Sequence, residues 1–353
     1  MKKHNFSAGP SILPLEVIDN ASKAVRNLNN KGLSLLEISH RSKDFISIMD
    51  EACLLALELT GLKNRGYNAL FLQGGASLQF LMIAYNFLKT KAGYINTGTW
   101  SEKAIKEAEL FGEVVEIASS KNNNFNYIPK EIKIKEDFDY IHLTTNNTIF
   151  GTQFHNIPEC NSSLIADMSS DIFSRIIDYS KFDLFYAGAQ KNIGPAGTTL
   201  IIINESLLSE INNNIPSMLS YKTHIDKESM FNTPPVFSIY TTMLNLRWIK
   251  KNGGIKNLEN LNRKKANLIY NEIDTNSKFV GFAEKDDRSF MNVTFNLINS
   301  EEINIFDKIC EENNIVGIKG HRSVGGYRAS IYNAMTIESV QILVDCMGKL
   351  EKI

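Results

Sequence analysis

The chain has 353 residues, of which 43% are hydrophobic and 22% charged, and its 38 Lys and Arg residues nearly balance its 39 Asp and Glu residues. This composition excludes a disordered chain, and a net charge of −1 disfavours a nucleic-acid-binding protein or a polybasic membrane anchor. No apolar run reaches the roughly 18 residues of a membrane span. The N-terminal MKKHNFSAGP has no apolar stretch behind its lysines, so we expect no signal peptide and a cytoplasmic protein.

Two amphipathic helices are predicted near the N-terminus. Pro14 precedes apolar residues at helical spacing over 17–28, and proline is favoured in the first turn of a helix. Ser42 precedes a second such run over 45–59 and is a favourable N-cap, whereas Gly61 is a typical helix stop.

Farther along, short apolar strands alternate with turns and helices. The predicted strands are Ala69–Leu72, Gly93–Asn96, Glu113–Ile117, Tyr140–Thr144, Ser163–Ala166, Leu184–Ala187 and Thr199–Ile203. Continuous apolar strands between helices indicate a sheet that is buried on both faces, and therefore an α/β fold.

The pattern changes near residue 255. A long polar helix (255–273) is followed by an alternating strand (289–296), a helix capped at Ser300, strands near 315–318 and 328–332, and a final helix capped at Thr336. A chain of this length suggests two domains. We expect a large α/β domain over 12–255 and a small α+β domain made of 1–11 and 256–353.

The four cysteines form no CxxC pair, and their spacing matches no zinc-binding pattern. They are Cys53, Cys160, Cys310 and Cys346. We expect buried, reduced thiols and no metal site.

The most informative stretch is 183–203, where Lys191 lies between two apolar strands and beside the run Gly194-Pro195-Ala196-Gly197. Desolvating an ammonium group is costly, and burial lowers the pKa of a lysine, as a Schiff-base lysine requires. The alternative to a Schiff-base role is that Lys191 lies on an ordinary solvated turn.

Asp167 follows the apolar strand 163–166, and an acid at the carboxyl edge of a buried strand faces the crevice where α/β folds bind ligands. Its carboxylate can keep the ring nitrogen of pyridoxal phosphate protonated, or it can cap the next segment. Trp100, at a strand-to-helix junction, can stack on an aromatic cofactor or serve as a packing residue.

Anion-binding groups are also predicted. Gly74 and Gly75 separate a strand from a helix, so the backbone N–H groups there can cradle a phosphate. The alternative to a phosphate cradle is an ordinary tight turn between a strand and a helix. This alternative stays open because neither GxGxxG nor the Walker pattern occurs in the chain. The basic residues His40, Arg41, His321, Arg322 and Arg328 can bind a phosphate together with a carboxylate, or can be unrelated surface charges.

Nine stretches of the chain resemble the phosphoserine aminotransferase family of class V, pyridoxal-phosphate-dependent aminotransferases. They are NFSAGP (5–10), SHRS (39–42), QGGASLQF (73–80), TGTWS (97–101), TTNNTIFGTQF (144–154), ADMSSDIFSR (166–175), AGAQKNIGPAG (187–197), FNTPPVFSIY (231–240) and GHRSVGGYRASIYNA (320–334). The resemblance implies an aspartate aminotransferase-like fold (fold type I), with a large, mostly parallel-sheet domain and a smaller α+β C-terminal domain.

The resemblance also implies roles in binding the cofactor. Catalytic Lys191 would carry one pyridoxal 5'-phosphate per subunit as a Schiff base, with catalytic Asp167 at the ring nitrogen, Trp100 stacked on the ring and Thr148 at the ring hydroxyl. The phosphate cradle would comprise the backbone of Ala76 and Ser77, the residues Ser169 and Gln190, and Asn232 and Thr233 from the other subunit of a homodimer.

For the substrate, the resemblance implies that Arg328 binds the α-carboxylate. His321 and Arg322, with His40 and Arg41 of the partner subunit, would clamp the substrate phosphate. The implied reaction is a reversible ping-pong transamination in serine biosynthesis, in which L-glutamate and 3-phosphohydroxypyruvate give 2-oxoglutarate and O-phospho-L-serine. A role with 4-phosphohydroxy-L-threonine in vitamin B6 synthesis remains open, because the same clamp suits both substrates.

Two other functions are disfavoured. A cysteine desulfurase of the same class needs a nucleophilic cysteine on a mobile loop, whereas Cys310 lies on an apolar helical face. A non-enzymatic binding module built on this fold would normally have lost the lysine or gained a basic DNA-binding segment, and neither change is seen.

Overall fold

The helices and strands are taken from a computed structural model, which describes residues 3–134, 136–212 and 214–353. The helices over these residues are α1 (Leu15–Arg26), α2 (Lys43–Leu59), α3 (Gly75–Phe87), α4 (Thr99–Ala108), α5 (Ala189–Asn192), α6 (Tyr221–Asp226), α7 (Val236–Lys251), α8 (Gly254–Thr275), α9 (Ile303–Glu312) and α10 (Ile337–Glu351). The strands are β1 (His4–Asn5), β2 (Tyr67–Leu72), β3 (Lys91–Asn96), β4 (Glu113–Ser119), β5 (Ile141–Thr144), β6 (Asn146–Asn147), β7 (Thr152–Gln153), β8 (Leu164–Asp167), β9 (Leu184–Gly188), β10 (Thr199–Asn204), β11 (Phe279–Gly281), β12 (Asn292–Leu297), β13 (Ile315–Val316) and β14 (Tyr327–Ser330).

A seven-stranded sheet, ordered β2-β10-β9-β8-β5-β3-β4, forms the centre of the structure. β10 is antiparallel to β2 and β9, and every other neighbouring pair is parallel. Along β9, Phe185 and Ala187 enter one hydrophobic cluster while Leu184 and Tyr186 enter another on the opposite face. Both faces are therefore covered, and the predicted α/β fold with a mostly parallel sheet is confirmed.

The sheet topology brings two of the predicted site residues together. Asp167 is the last residue of β8, and β9 leads directly into the short helix α5, which contains Lys191. Because β8 and β9 are parallel neighbours, their carboxyl ends lie at the same edge of the sheet.

The C-terminal part has its own core. The antiparallel sheet β11-β12-β14 is covered by α8, α9 and α10, and Phe279, Phe295, Phe306 and Tyr327 pack together there through edge and stacked ring contacts. β1 joins this part by parallel pairing with β13. These features support our proposed division into 12–255 and 1–11 plus 256–353, of which Met1 and Lys2 lie outside the described residues.

Several predicted helix and strand ends differ from the observed ones. Ser300 is not the cap of a helix: Asn299 Oδ1 accepts the Glu301 N–H at 3.0 Å and starts a 3₁₀ turn, and α9 begins only at Ile303. The strand predicted from residue 289 begins at Asn292, because the Ser289 hydroxyl accepts the N–H groups of Met291 and Asn292 and forms a turn. The predicted caps at Ser42 and Thr336 are confirmed.

The prediction of buried cysteines is wrong for two of the four. All four are free thiols, and Cys310 and Cys346 are buried, but Cys53 and Cys160 are only partly covered. Among the described residues, no group of His, Cys, Asp and Glu side chains has the arrangement of a metal site. None of the helices in the described ranges combines the length and apolarity needed to cross a membrane.

The cap at Thr336 gives a prediction about stability. Its hydroxyl accepts the Ser339 N–H at 3.3 Å at the start of α10. Thr336→Ala should lower the free energy of unfolding by about 1 kcal/mol, measured by chemical denaturation, because that N–H loses its partner. Thr336→Ser keeps the acceptor and should retain most of the stability. Equal losses in both variants would contradict a capping role.

Candidate functional site

Lys191 lies in the four-residue helix α5, immediately after β9. Burial lowers the pKa of its amine; the carboxylates of Asp167 and Asp171 oppose this effect, and the Arg328 guanidinium adds to it. Its Nζ lies 5.2 Å from the centre of the Trp100 ring. The structure therefore brings a desolvated amine, a carboxylate and an aromatic ring together.

Asp167 is 5% exposed, and burial raises the pKa of its carboxyl while the charge of Lys191 lowers it. Its Oδ1 accepts the Ser169 N–H at 2.9 Å. The Ser169 hydroxyl in turn accepts the Gly188 N–H at 3.1 Å, which ties the end of β8 to the turn that leads into α5. These bonds fix the carboxylate beside the lysine.

Trp100 lies in the first turn of α4, and hydrogen bonds connect it to Arg328 through Thr148. Its Nε1 donates to the Thr148 hydroxyl at 3.0 Å, and the Thr148 carbonyl accepts from Arg328 Nη1 at 3.2 Å. Arg328 Nε is buried and finds no hydrogen-bond acceptor among the described residues. An arginine with an unused buried donor suits a carboxylate ligand.

Positive charge is concentrated beside Trp100. Burial and the charges of Arg328, Arg322 and Lys103 lower the pKa of His321. Lys103 also lies over the Trp100 ring, with Nζ 4.8 Å from its centre. Over the part of the chain that the structure describes, none of these basic side chains forms an ion pair with a carboxylate. An anionic ligand would supply that partner.

Lys103 was not among the predicted site residues, although its position could have been found. It follows Trp100 by three residues in a predicted helix, and residues at that spacing share one helical face.

The glycine loop before α3 also fits an anion. Gly74 has φ +93°, and a Cβ there would come within 2.4 Å of Leu78 Cδ2, so the position requires glycine. No side chain caps the helix, which leaves the N–H groups around Ala76 and Ser77 available for a ligand. The Gln73 side chain donates to the Thr233 carbonyl and accepts from Asn232 Nδ2, both at 3.1 Å.

An N-terminal segment covers Lys191, which the sequence did not predict. The Ser11 N–H donates to the Gln190 carbonyl at 2.9 Å, and the Ser11 hydroxyl donates to the Lys191 carbonyl. A Cβ on Gly9 would lie 3.4 Å from Lys191 Cγ. These are contacts between residues about 180 positions apart, and no local pattern reveals them.

Contacts within one chain link Lys191, Trp100, Thr148 and Arg328, and link Ser169 to Asp167, but none of these contacts includes His40 or Arg41. They precede α2 on a surface loop, and no contact between either side chain and the cluster is found among the described residues. Asn232 and Thr233 lie beside Gln73 of their own chain.

The arrangement can bind a flat carbonyl ligand covalently. A lysine with a lowered pKa can attack a carbonyl, the Asp167 carboxylate acts on that lysine, and donors without partners are present on Arg328 and at the start of α3. Cys310, in contrast, is 3% exposed and its pKa is raised to about 12 by burial, so it is unsuited to nucleophilic sulfur chemistry.

Known proteins resemble the whole chain. The family model described as "Aminotransferase class-V" matches residues 3–343. A phosphoserine aminotransferase of Flavobacterium johnsoniae is 61% identical over 353 residues, covering 99% of each chain. The phosphoserine aminotransferase of Bacteroides fragilis is 54% identical over 356 residues and covers 100% of both chains.

Solved structures agree with these relatives. The phosphoserine aminotransferase of Bacillus circulans subsp. alkalophilus superimposes with a TM-score of 0.96 and 45% identity, covering 99% of each chain. A PLP-bound phosphoserine aminotransferase of Trichomonas vaginalis gives a TM-score of 0.93 and 35% identity, covering 98% of this chain and all of that one.

The charges around Lys191 predict opposite effects of two substitutions. Asp167→Asn removes a charge that raises the pKa of Lys191, so this pKa should fall. Arg328→Met removes a charge that lowers it, so the pKa should rise. The measurement is the pH dependence of Lys191 modification by a neutral acylating reagent, followed by mass spectrometry. Arg322→Met is the control and should leave the pKa unchanged. Shifts of the same sign in both test variants would refute the assignment.

Proposed function

We propose that this chain, which belongs to the class-V aminotransferase family, transfers the amino group of L-glutamate to 3-phosphohydroxypyruvate and so forms 2-oxoglutarate and O-phospho-L-serine. The cofactor in this proposal is pyridoxal 5'-phosphate. The observation that carries it is the Lys191 amine, desolvated, 5.2 Å from the Trp100 ring centre and acted on by the Asp167 charge. The relatives named phosphoserine aminotransferase support the choice of substrate.

The residues present fit this cofactor. Lys191 would hold its carbonyl carbon covalently, Asp167 would face its ring nitrogen, and the Trp100 ring would cover one face. For its phosphate, the uncapped start of α3 offers backbone N–H groups, and the Ser169 hydroxyl, which bonds the Asp167 carboxylate and accepts the Gly188 N–H, would join them. Gln190 and Thr148 complete the proposed binding set.

When bound, pyridoxal phosphate supplies an electron sink for the bond to the substrate α-carbon. The chain's own residues then have distinct tasks. Lys191 Nζ can take the proton from the substrate Cα, because burial favours its neutral form. Asp167, anchored by the Ser169 N–H, keeps a negative charge next to the ring nitrogen. The segment that includes Gly9 packs against the Lys191 stem, and the Trp100 ring lies beside the amine.

The substrate anions have separate positions in this proposal. Arg328, with Nη1 fixed on the Thr148 carbonyl and Nε buried without a partner, binds the α-carboxylate. His321 and Arg322 bind the phosphate of one substrate and the γ-carboxylate of the other. Guanidinium and imidazole donors on the glycine-rich loop 320–326 can adapt to both shapes.

A homodimer would complete the site. His40 and Arg41 of the partner subunit join the phosphate clamp, and the partner's Asn232 and Thr233 join the cofactor phosphate. Exposed apolar side chains flank both segments within the chain: Leu33 and Leu36 are 52% and 62% exposed, and Phe231 is 39% exposed. Apolar side chains that are exposed in one chain suit burial in a subunit interface.

Absorbance of the purified protein tests the reaction. The visible band of the cofactor bound to Lys191 should disappear with O-phospho-L-serine or L-glutamate but persist with L-alanine, because only the first two carry the distal anion. Lys191→Ala should lower turnover by at least about 100-fold, since the proton acceptor is lost. Lys106→Ala, on the surface of α4, is the control. A protein that stays colourless with added pyridoxal phosphate would refute the cofactor, and reaction with alanine alone would refute the clamp.

Mixed dimers test the shared site. Lys191→Ala and Arg41→Met should each be poorly active alone. In a mixed dimer, the site with intact Lys191 receives the intact Arg41 of the other chain, so about half of the wild-type sites should recover activity. If Arg41 instead serves its own chain, every site of the mixed dimer stays defective and mixing restores nothing. Dimers of wild-type and Lys191→Ala chains set the reference level.

A further inference from the structure

A group of buried asparagines lies next to Lys191 and contacts the turn that follows Asp167. Three consecutive carbonyls of this turn each accept a hydrogen bond from a different asparagine amide. The pairs are Asn192 Nδ2 with Ile172 O at 2.5 Å, Asn333 Nδ2 with Phe173 O at 3.1 Å, and Asn262 Nδ2 with Ser174 O at 2.9 Å. We call Asn192, Asn262 and Asn333 the asparagine clamp.

The three asparagines also bind one another, which fixes their amide orientations. Asn262 Nδ2 donates to Asn333 Oδ1 at 2.8 Å, and the Asn333 N–H donates to Asn192 Oδ1 at 2.9 Å. They are 1% to 6% exposed. Rotating any amide by 180° would place an oxygen against an oxygen, so only one arrangement satisfies the donors.

The clamp holds a strained part of the backbone. Phe173 is fully buried and has φ +56°, a region that is strained for a bulky residue. The Phe173 N–H donates to the Tyr179 hydroxyl at 3.2 Å, so this residue is held on both sides. Such a conformation persists only where its surroundings impose it.

We propose that the asparagine clamp positions Lys191 relative to Asp167. This inference rests on the proposed function, because it concerns the same lysine. Asn192 follows Lys191 directly in α5, and its side chain is held at both ends. The Ile172 N–H donates to the Met168 carbonyl at 2.9 Å, so one tight turn joins the clamped carbonyls to Asp167.

A second charge near the lysine lies in the turn that the clamp holds. Asp171 lies in the same turn, receives hydrogen bonds from Thr145 and Gln153, and pairs with Arg175. Its charge acts on Lys191, as do those of Asp167 and Arg328. Loosening the turn would move the carboxylates of Asp167 and Asp171 relative to the Lys191 amine without changing the net charge of the chain.

Neutral substitutions test this role. Asn192→Ala and Asn333→Ala should each shift the pH midpoint of the cofactor's visible absorbance by more than about half a pH unit, because the charges around Lys191 move. They should also lower the rate of the half-reaction with O-phospho-L-serine by about ten-fold or more while KM changes less. Asn333→Ser, which keeps a small donor, should give intermediate values and serves if the alanine variants do not fold.

Asn86→Ala is the matched control. Asn86 is fully buried on α3 and donates to the Met82 and Leu219 carbonyls, both at 2.7 Å, away from the clamp. Asn86→Ala should lower the melting temperature but change neither the pH midpoint of the visible absorbance nor the rate of the half-reaction. Clamp variants that lose stability yet keep both values would overturn the proposal and leave a purely structural role. If the wild type binds the cofactor but does not react with O-phospho-L-serine, the proposed substrate is refuted. The pH midpoints of the visible absorbance in the wild type and the clamp variants then still test the positioning role of the clamp.

Discussion

The site depends on one constraint: an amine and a carboxylate must both leave water and remain close to each other. Burial lowers the pKa of Lys191 and raises that of Asp167, and the charge of each opposes the effect on the other. Either group alone would be driven to its neutral form. The parallel pairing of β8 and β9 makes this possible, because both strands end at the same edge of the sheet and hold Asp167 and Lys191 there on rigid backbone.

A second feature is the excess of positive charge around Trp100. His321 and Arg322 lie on the loop 320–326, Arg328 on β14 and Lys103 on α4, and the charges of the other three lower the pKa of His321. Like charges at close range destabilise a folded protein unless an anion joins them. The arrangement is therefore costly in the free protein and would be stabilised by a dianionic ligand, as the proposed phosphate clamp requires.

The sequence predicted the sheet and the family correctly, for different reasons. Strands such as β8 and β9 are buried on both faces, so their apolar runs are continuous and easily found. α7 was not predicted, because it is buried on almost every side and shows little amphipathic pattern. Lys191 and Asp167 were proposed as site residues because a lysine between two apolar strands and an acid directly after one are both unusual.

Other parts of the site could not be predicted. The contact of Ser11 with Lys191 and the bonds of Asn333 to the turn at 172–174 join distant parts of the chain. Such contacts follow from the tertiary structure, and no spacing in the sequence reports them. The wrong cap at Ser300 has a local cause, because Asn299 is an equally good cap one residue earlier.

The contacts on both sides of Lys191 also restrict how the site can close. The Tyr332 hydroxyl donates to the Ala8 carbonyl at 2.7 Å, and the buried Lys265 donates to the carbonyls of Ile331 and Tyr332. The next residue, Asn333, belongs to the asparagine clamp. These bonds hold residues 331–333 within the part made of 1–11 and 256–353. A rigid rotation of that part would instead break the bonds of Asn262 and Asn333 to the turn at 172–174, each worth about 0.5–1.5 kcal/mol. A movement confined to the exposed, glycine-rich loop 320–326 would break none of them, so closure over a phosphate is cheapest there.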